Sequence, residues 1–139
     1  MTGHWEHFEH VADIGIRGFG STPAEAFAQA GLALTALITD LGKVAPQQRV
    51  HVELEEEDDL EYLFFDWINA IVYHMSTHHL LFSRYEVRIA GNRLQAELRG
   101  EPVDPQRHAP AVEVKGATFT ALAVRQEGDQ WIAQCVVDV

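Results

Sequence analysis

Apolar side chains recur along this chain with two different periods, and the switches between them mark out its elements. Phe27, Ala30, Leu34, Leu37, Ile38 and Leu41 follow one another at spacings of three or four, the stripe of an amphipathic helix. Its start is written in Thr22-Pro23-Ala24-Glu25, where a threonine cap, a proline at the first helical position and a glutamate three residues after the cap make a capping box. The stripe predicts a helix ending near Gly42. A second stripe, Leu60, Leu63, Phe64, Trp67, Ile68, Ile71 and Met75, opens at Asp58 or Asp59, with Glu61 three residues after Asp58, and runs out in Ser76-Thr77-His78-His79. Tyr62, Asp66, Asn69 and Tyr73 occupy its other side.

Elsewhere the period is two. Val50, Val52 and Leu54 alternate with polar residues, as do Tyr85, Val87 and Ile89 and then Leu94, Ala96 and Leu98, the pattern of half-buried strands. Gly91-Asn92 joins the last two as a two-residue hairpin loop, glycine first as a type II′ turn prefers. Val11 to Phe19, Val112 to Val124 and Trp131 to Val137 are further strand candidates. The last is apolar on both faces, which predicts a central place in its sheet. The order predicts an α+β fold in which two main helices pack against mostly antiparallel sheet. No repeat or linker interrupts residues 1–139, so one continuous domain is expected.

Charge narrows the function. Ten Lys and Arg against 21 Asp and Glu give a net charge of −11, which argues against direct binding to a phosphate backbone. Cys135 is the only cysteine, so neither an intrachain disulfide nor a cysteine-rich zinc framework is expected, and a reducing, cytoplasmic setting fits. No run approaches a membrane span. Walker, G-x-S-x-G and H-E-x-x-H signatures are missing, and Gly15, Gly18 and Gly20 do not complete a dinucleotide fingerprint.

What remains are polar residues in unusual places. Asp13 interrupts a strand-like run and Asp138 closes the most apolar strand of the chain, positions where a carboxylate is costly unless paired or coordinated. Were the first and last strands close, these two carboxylates and the carbonyl or terminal carboxylate of Val139 would suit a hard divalent cation, calcium or magnesium rather than zinc. From spacing alone the plainer reading, a turn residue and an exposed terminus, is the more frequent one. His4, His7 and His10, spaced by three, would share a face if helical, with His10 a metal ligand only in company; a solvated polar segment is the simpler expectation. Seven carboxylates between Glu53 and Glu61 make an acidic surface suited to a basic partner, or only a solvated charge run. Asp66 and Asn69 belong either to a polar helix face or to a binding site. Lys115 either pairs with a site carboxylate or points outward. Arg107-His108, after Gly100-Glu-Pro-Val-Asp-Pro105, is expected in an exposed loop with donors free for recognition.

Together these segments resemble the archease family. The resemblance rests on Glu9-His-Val-Ala-Asp-Ile-Gly-Ile16, Thr22-Pro-Ala-Glu-Ala-Phe27, Asp59-Leu-Glu-Tyr-Leu-Phe-Phe-Asp-Trp-Ile-Asn69, Gly100-Glu-Pro-Val-Asp104 with Arg107-His108, Glu113-Val-Lys115 with Thr118, and Trp131-Ile-Ala-Gln-Cys-Val-Val-Asp-Val139. It implies an archease-like α/β sandwich that activates an RtcB-type RNA ligase in tRNA splicing and RNA repair, promoting guanylylation of the ligase's histidine and multiple turnover without being itself an enzyme. It also implies a divalent-metal site at Asp13, Asp138 and Val139, with calcium the favoured cation and magnesium or manganese as alternatives; His10, Asp66, His108 and Lys115 stand as partner-facing or supporting residues. The chain departs from the family pattern at Val11, where Thr is usual, and at Thr120, where a hydroxyl stands in place of an imidazole. Two other classes remain open: a small metal-dependent phosphohydrolase using His10, Asp13 and Asp138 around a cation-bound water, and an acidic chaperone-like adaptor that needs no ion.

Overall fold

The computed structural model describes residues 3–11, 13–56 and 59–139. In chain order the elements are β1 (His4–His10), β2 (Asp13–Gly20), α1 (Pro23–Ile38), β3 (Gln48–Glu55), α2 (Leu60–His78), β4 (Leu80–Ala90), β5 (Arg93–Pro102), the short α3 (Pro105–His108), β6 (Gly116–Ala117), β7 (Ala123–Glu127) and β8 (Gln130–Asp138). The strands form two antiparallel sheets, β1-β2-β8 with both β6 and β7 on the far edge of β8, and β3-β5-β4. The α+β expectation holds, with two sheets rather than one.

Local chemistry explains where the helices begin. The Thr22 hydroxyl accepts from the Glu25 N–H, and the Glu25 carboxylate accepts in turn from the Ser21 N–H at 3.0 Å. Asp59 caps α2 by accepting from the Tyr62 N–H at 2.8 Å. The alternative start at Asp58, with the capping pair it would form with Glu61, lies outside the described residues. Glu61 accepts instead from the Val124 N–H, tying α2 to β7.

Three sequence expectations need correction. The first helix stops at Ile38, short of Gly42: Thr39 turns to an extended conformation and donates its hydroxyl to the His108 carbonyl, while Asp40 caps a separate 3-10 turn over Leu41–Lys43. The N-terminal His4–His10 segment is a paired edge strand rather than a helix or a tail, with His4, Glu6, His7 and Glu9 exposed as the solvated reading expects. Between Val112 and Val124 only β6 and β7 join the sheet. Residues 112–115 make no ladder, and residues 118–122 loop out past Ala121, which has φ 55°. Two other readings hold. β8 is central, flanked by β2 on one side and β6 and β7 on the other, and Gly91 takes φ 62° in the β4–β5 turn, the conformation glycine adopts without a steric penalty.

Helix α1 lies between the sheets and touches both. Gly18 of β2 brings the strand so close that a Cβ there would sit 2.1 Å from the Ala26 carbonyl oxygen. On its other side Gly31 meets the Tyr85 ring of β4, and the Thr35 hydroxyl bonds both the Phe82 carbonyl and the Tyr85 hydroxyl, each at 2.7 Å. Helix α2 is anchored by Trp67, whose indole N–H donates to the Phe27 carbonyl at 3.0 Å and whose ring is fully buried. Ile16, Phe27, Leu34, Phe64, Ile71, Leu98 and Val137 belong to one continuous apolar core.

Candidate metal centre at the end of the first sheet

Strand register decides which polar residues meet. On the β1–β2 ladder His10 stands opposite Asp13, and on the β2–β8 ladder Ile14 stands opposite Val137, so Asp138 is the next position beyond, beside Asp13. Asp138 is in turn opposite Gly116, and its carbonyl accepts from the Lys115 N–H at 2.7 Å. Because alternate residues of a strand share a face, His10, Asp13 and Asp138 lie on the side that also carries Phe8, Gly15 and Val136, away from α1.

Asp13, Asp138 and Val139 are all exposed at this sheet end. Two neighbouring carboxylates repel unless a cation lies between them, and oxygen-only donors suit calcium, magnesium or manganese. The ring nitrogen Nδ1 of half-buried His10 is buried and has no hydrogen-bond partner among the described residues, an orphaned polar atom at the edge of the same row. Among the described residues no three His, Cys, Asp or Glu side chains gather as a metal cluster. A cation here would be held by the two carboxylates and an oxygen of Val139, with water completing its shell. Lys115 is exposed one residue from β6, its backbone fixed to Asp138.

The other candidate residues lie on α2 and α3. Asp66 is half-buried on α2, and burial, then a hydrogen bond and charge repulsion from Glu56, raise its carboxyl above the ordinary range. Asn69, one turn on, accepts from the Ala117 N–H at 2.9 Å and so fixes β6 against α2. The expectation of an exposed Arg107-His108 loop holds for the exposure of Arg107 and fails for His108. Both residues lie in α3, capped by Asp104, and His108 is 1% exposed. Glu101 gathers both: Arg107 bonds its two oxygens at 2.8 Å each, His108 Nε2 lies 3.0 Å from Oε2, and the Ala45 N–H donates to the same oxygen at 2.7 Å. The Arg107 hydrogen bond, followed by that from Ala45, draws the Glu101 carboxyl down to about 2. His108 is thereby a structural residue that closes the 102–110 segment onto β5.

Two features escaped the sequence pattern. Arg17, on the same face as Asp13, lies 4.4 Å over the Phe8 ring, donates to Gln134 at 2.7 Å and pairs with Glu6. Only the alternation of Glu6, Phe8 and His10 hinted at that face. Phe119 is 63% exposed and stacks on Phe65 at 4.4 Å, with Tyr62 edge-on to it. Its loop runs beside β8, where Thr118 N–H donates to the Val136 carbonyl and Val136 N–H to that of Thr120. A phenylalanine in a polar loop is the only sequence signal for this ring cluster. Thr120 itself is exposed, its hydroxyl without a hydrogen bond among the described residues.

Comparison with known proteins identifies the family and the fold. Residues 5–139 match the family described as Archease protein family (MTH1598/TM1083). Protein archease of Thermococcus gammatolerans is 40% identical over 140 residues, covering 97% of this chain and 98% of the relative. That of Methanopyrus kandleri is 38% identical over 139 residues, with 97% and 99% covered. The solution structure of Methanobacterium thermoautotrophicum protein 1598 superposes with a TM-score of 0.85 at 27% identity, over 97% of this chain and 98% of that one. A Thermotoga maritima archease, called a possible chaperone, shares the fold with a TM-score of 0.63 at 20% identity, over 96% of each chain. With the family matched over nearly its whole length, the chain belongs to the archease family.

Proposed function

We propose that this protein is a metal-binding activator of an RtcB-type RNA ligase, promoting guanylylation of the ligase and repeated turnover, and is not itself the catalyst. The observation that carries the reading is the row His10, Asp13, Asp138 at the open end of the first sheet, in a chain of this family. Asp13, Asp138 and Val139 would hold the cation, which when bound supplies positive charge for anionic phosphate oxygens in an otherwise acidic protein. Lys115 stands beside it as a second cationic group, fixed through its backbone to Asp138. A net charge of −11 favours docking on a basic protein surface and disfavours competition for the RNA. The cation is best matched by calcium, since every donor is a hard oxygen.

The test compares single- and multiple-turnover ligation by the ligase with and without this protein. Wild type should restore repeated turnover and Asp138→Ala should not, while both give the same far-UV circular dichroism and thermal midpoint. Full stimulation by Asp138→Ala would remove the site from the mechanism. Phosphodiester hydrolysis by the isolated, calcium-loaded protein would replace the reading with a hydrolase.

A further inference from the structure

A second pair of chemically competent side chains lies far along α2 from its capped start. His74 and His78 are one helical turn apart, the spacing at which two side chains share a face. Their ring centres are 5.2 Å apart with planes at 79°. A metal bound to two imidazole nitrogens at about 2.0–2.1 Å stands about 3 Å from each ring centre, so tetrahedral ligation sets those centres about 5 Å apart. The observed centre-to-centre separation matches that distance. Neither ring is committed elsewhere: both meet the Tyr73 ring, and among the described residues neither makes a hydrogen bond or ion pair. Among the described residues His74 Nδ1 is buried without a hydrogen-bond partner, a polar atom left unsatisfied. His78 is exposed in the last helical turn and is free to turn its ring toward a shared ion.

We infer that His74 and His78 form a two-histidine site for a divalent transition metal of the zinc class. It differs in kind from the oxygen-lined sheet end, since imidazole nitrogen selects zinc, nickel or copper and leaves calcium in water. With no third His, Cys, Asp or Glu converging among the described residues, water fills the remaining positions and the ion exchanges readily. The inference does not depend on the ligase-activator reading.

Titration calorimetry with zinc chloride on the Asp138→Ala protein, which lacks the oxygen site, isolates the pair. One zinc equivalent should bind, calcium chloride should not compete, and His78→Ala in the same background should weaken zinc about tenfold or more as the chelate collapses to one ligand. Because His78 is exposed, that change leaves the fold intact. His74→Asn should weaken zinc to the same degree. Zinc binding unchanged in His78→Ala would place the metal on other histidines and overturn the inference, as would the absence of zinc binding in the parent protein.

Discussion

Replacing Gly18 by alanine tests a close approach of strand β2 to the backbone of helix α1. The added Cβ would meet the Ala26 carbonyl oxygen at 2.1 Å and the Ala30 nitrogen at 2.4 Å, whereas ordinary contact begins at 3.4 Å. Both obstacles are backbone atoms of α1, so no side-chain rotation relieves them and the helix must retreat from β2 by about 1 Å. A gap of about 0.5–1 Å already forfeits a quarter to a half of the dispersion attraction across it. The face that would lose contact carries Ala26 and Ala30, both fully buried. Overpacking of this kind costs about 1–3 kcal/mol, and the upper end applies where backbone must move. We expect Gly18→Ala to lose about 3 kcal/mol in urea unfolding, or about 10 °C in thermal midpoint. Gly15→Ala is the control. Its Cβ would meet the Phe8 ring at 2.1–2.4 Å, an equally short contact, but the half-buried ring can swing outward. That displacement costs about 1 kcal/mol. Gly18→Ala within about 0.5 kcal/mol of wild type, or Gly15→Ala the more damaging of the two, would refute the reasoning.

Three further outcomes follow from the buried polar groups. Glu101, held near 2 chiefly by Arg107, contributes stability that is complete above its ordinary value of 4.5 and drains away as pH falls toward 2. Denaturant midpoints of wild type and Glu101→Gln should therefore differ at pH 7 and converge toward pH 2, and parallel curves would contradict the assignment. Tyr85→Phe removes one hydrogen bond while Thr35 keeps its bond to the Phe82 carbonyl, so chemical unfolding should show a loss of about 1 kcal/mol. Cys135 is buried, and burial pushes its thiol up to about 12. Its reaction with a disulfide reagent at pH 8 should run at the rate of unfolding, and immediate labelling of the native protein would show that the β8 core is open.

Much of this architecture could be read from the residues because local chemistry dictates it. Thr22 and Asp59 announce their helices through caps, and Gly91 announces its hairpin through the backbone conformation that a two-residue turn requires. The edge strand β1 was hidden because Trp5 and Phe8 fall on opposite faces, so its pairing with β2 rests on backbone hydrogen bonds that no hydropathy pattern records. The fate of Arg107 and His108 was equally hidden. Their partner Glu101 sits near the end of a different element, and a pairing six or seven residues apart across a turn leaves no periodicity. The glycines of β2 were visible as residues but not as clearances, since what fills the missing Cβ positions, Phe8 and α1, is decided by packing. The juxtaposition of Asp13 with Asp138 was conditional on two distant strands pairing. Their register now puts the residues side by side.

That pairing has a kinetic price. Ile14 and Val137 stand opposite one another although more than a hundred residues separate them in sequence, whereas β4 and β5 are joined by a two-residue turn. Loop closure of that span costs entropy before any ladder bond rewards it, and chains dominated by such distant contacts fold slowly. The β3-β5-β4 sheet can therefore assemble early from neighbours, while the N-terminal hairpin waits with one edge open until β8 arrives. Refolding should accordingly show hydrogen-exchange protection in β4 and β5 ahead of β2, so that the acidic row is the last part of the protein to come into existence.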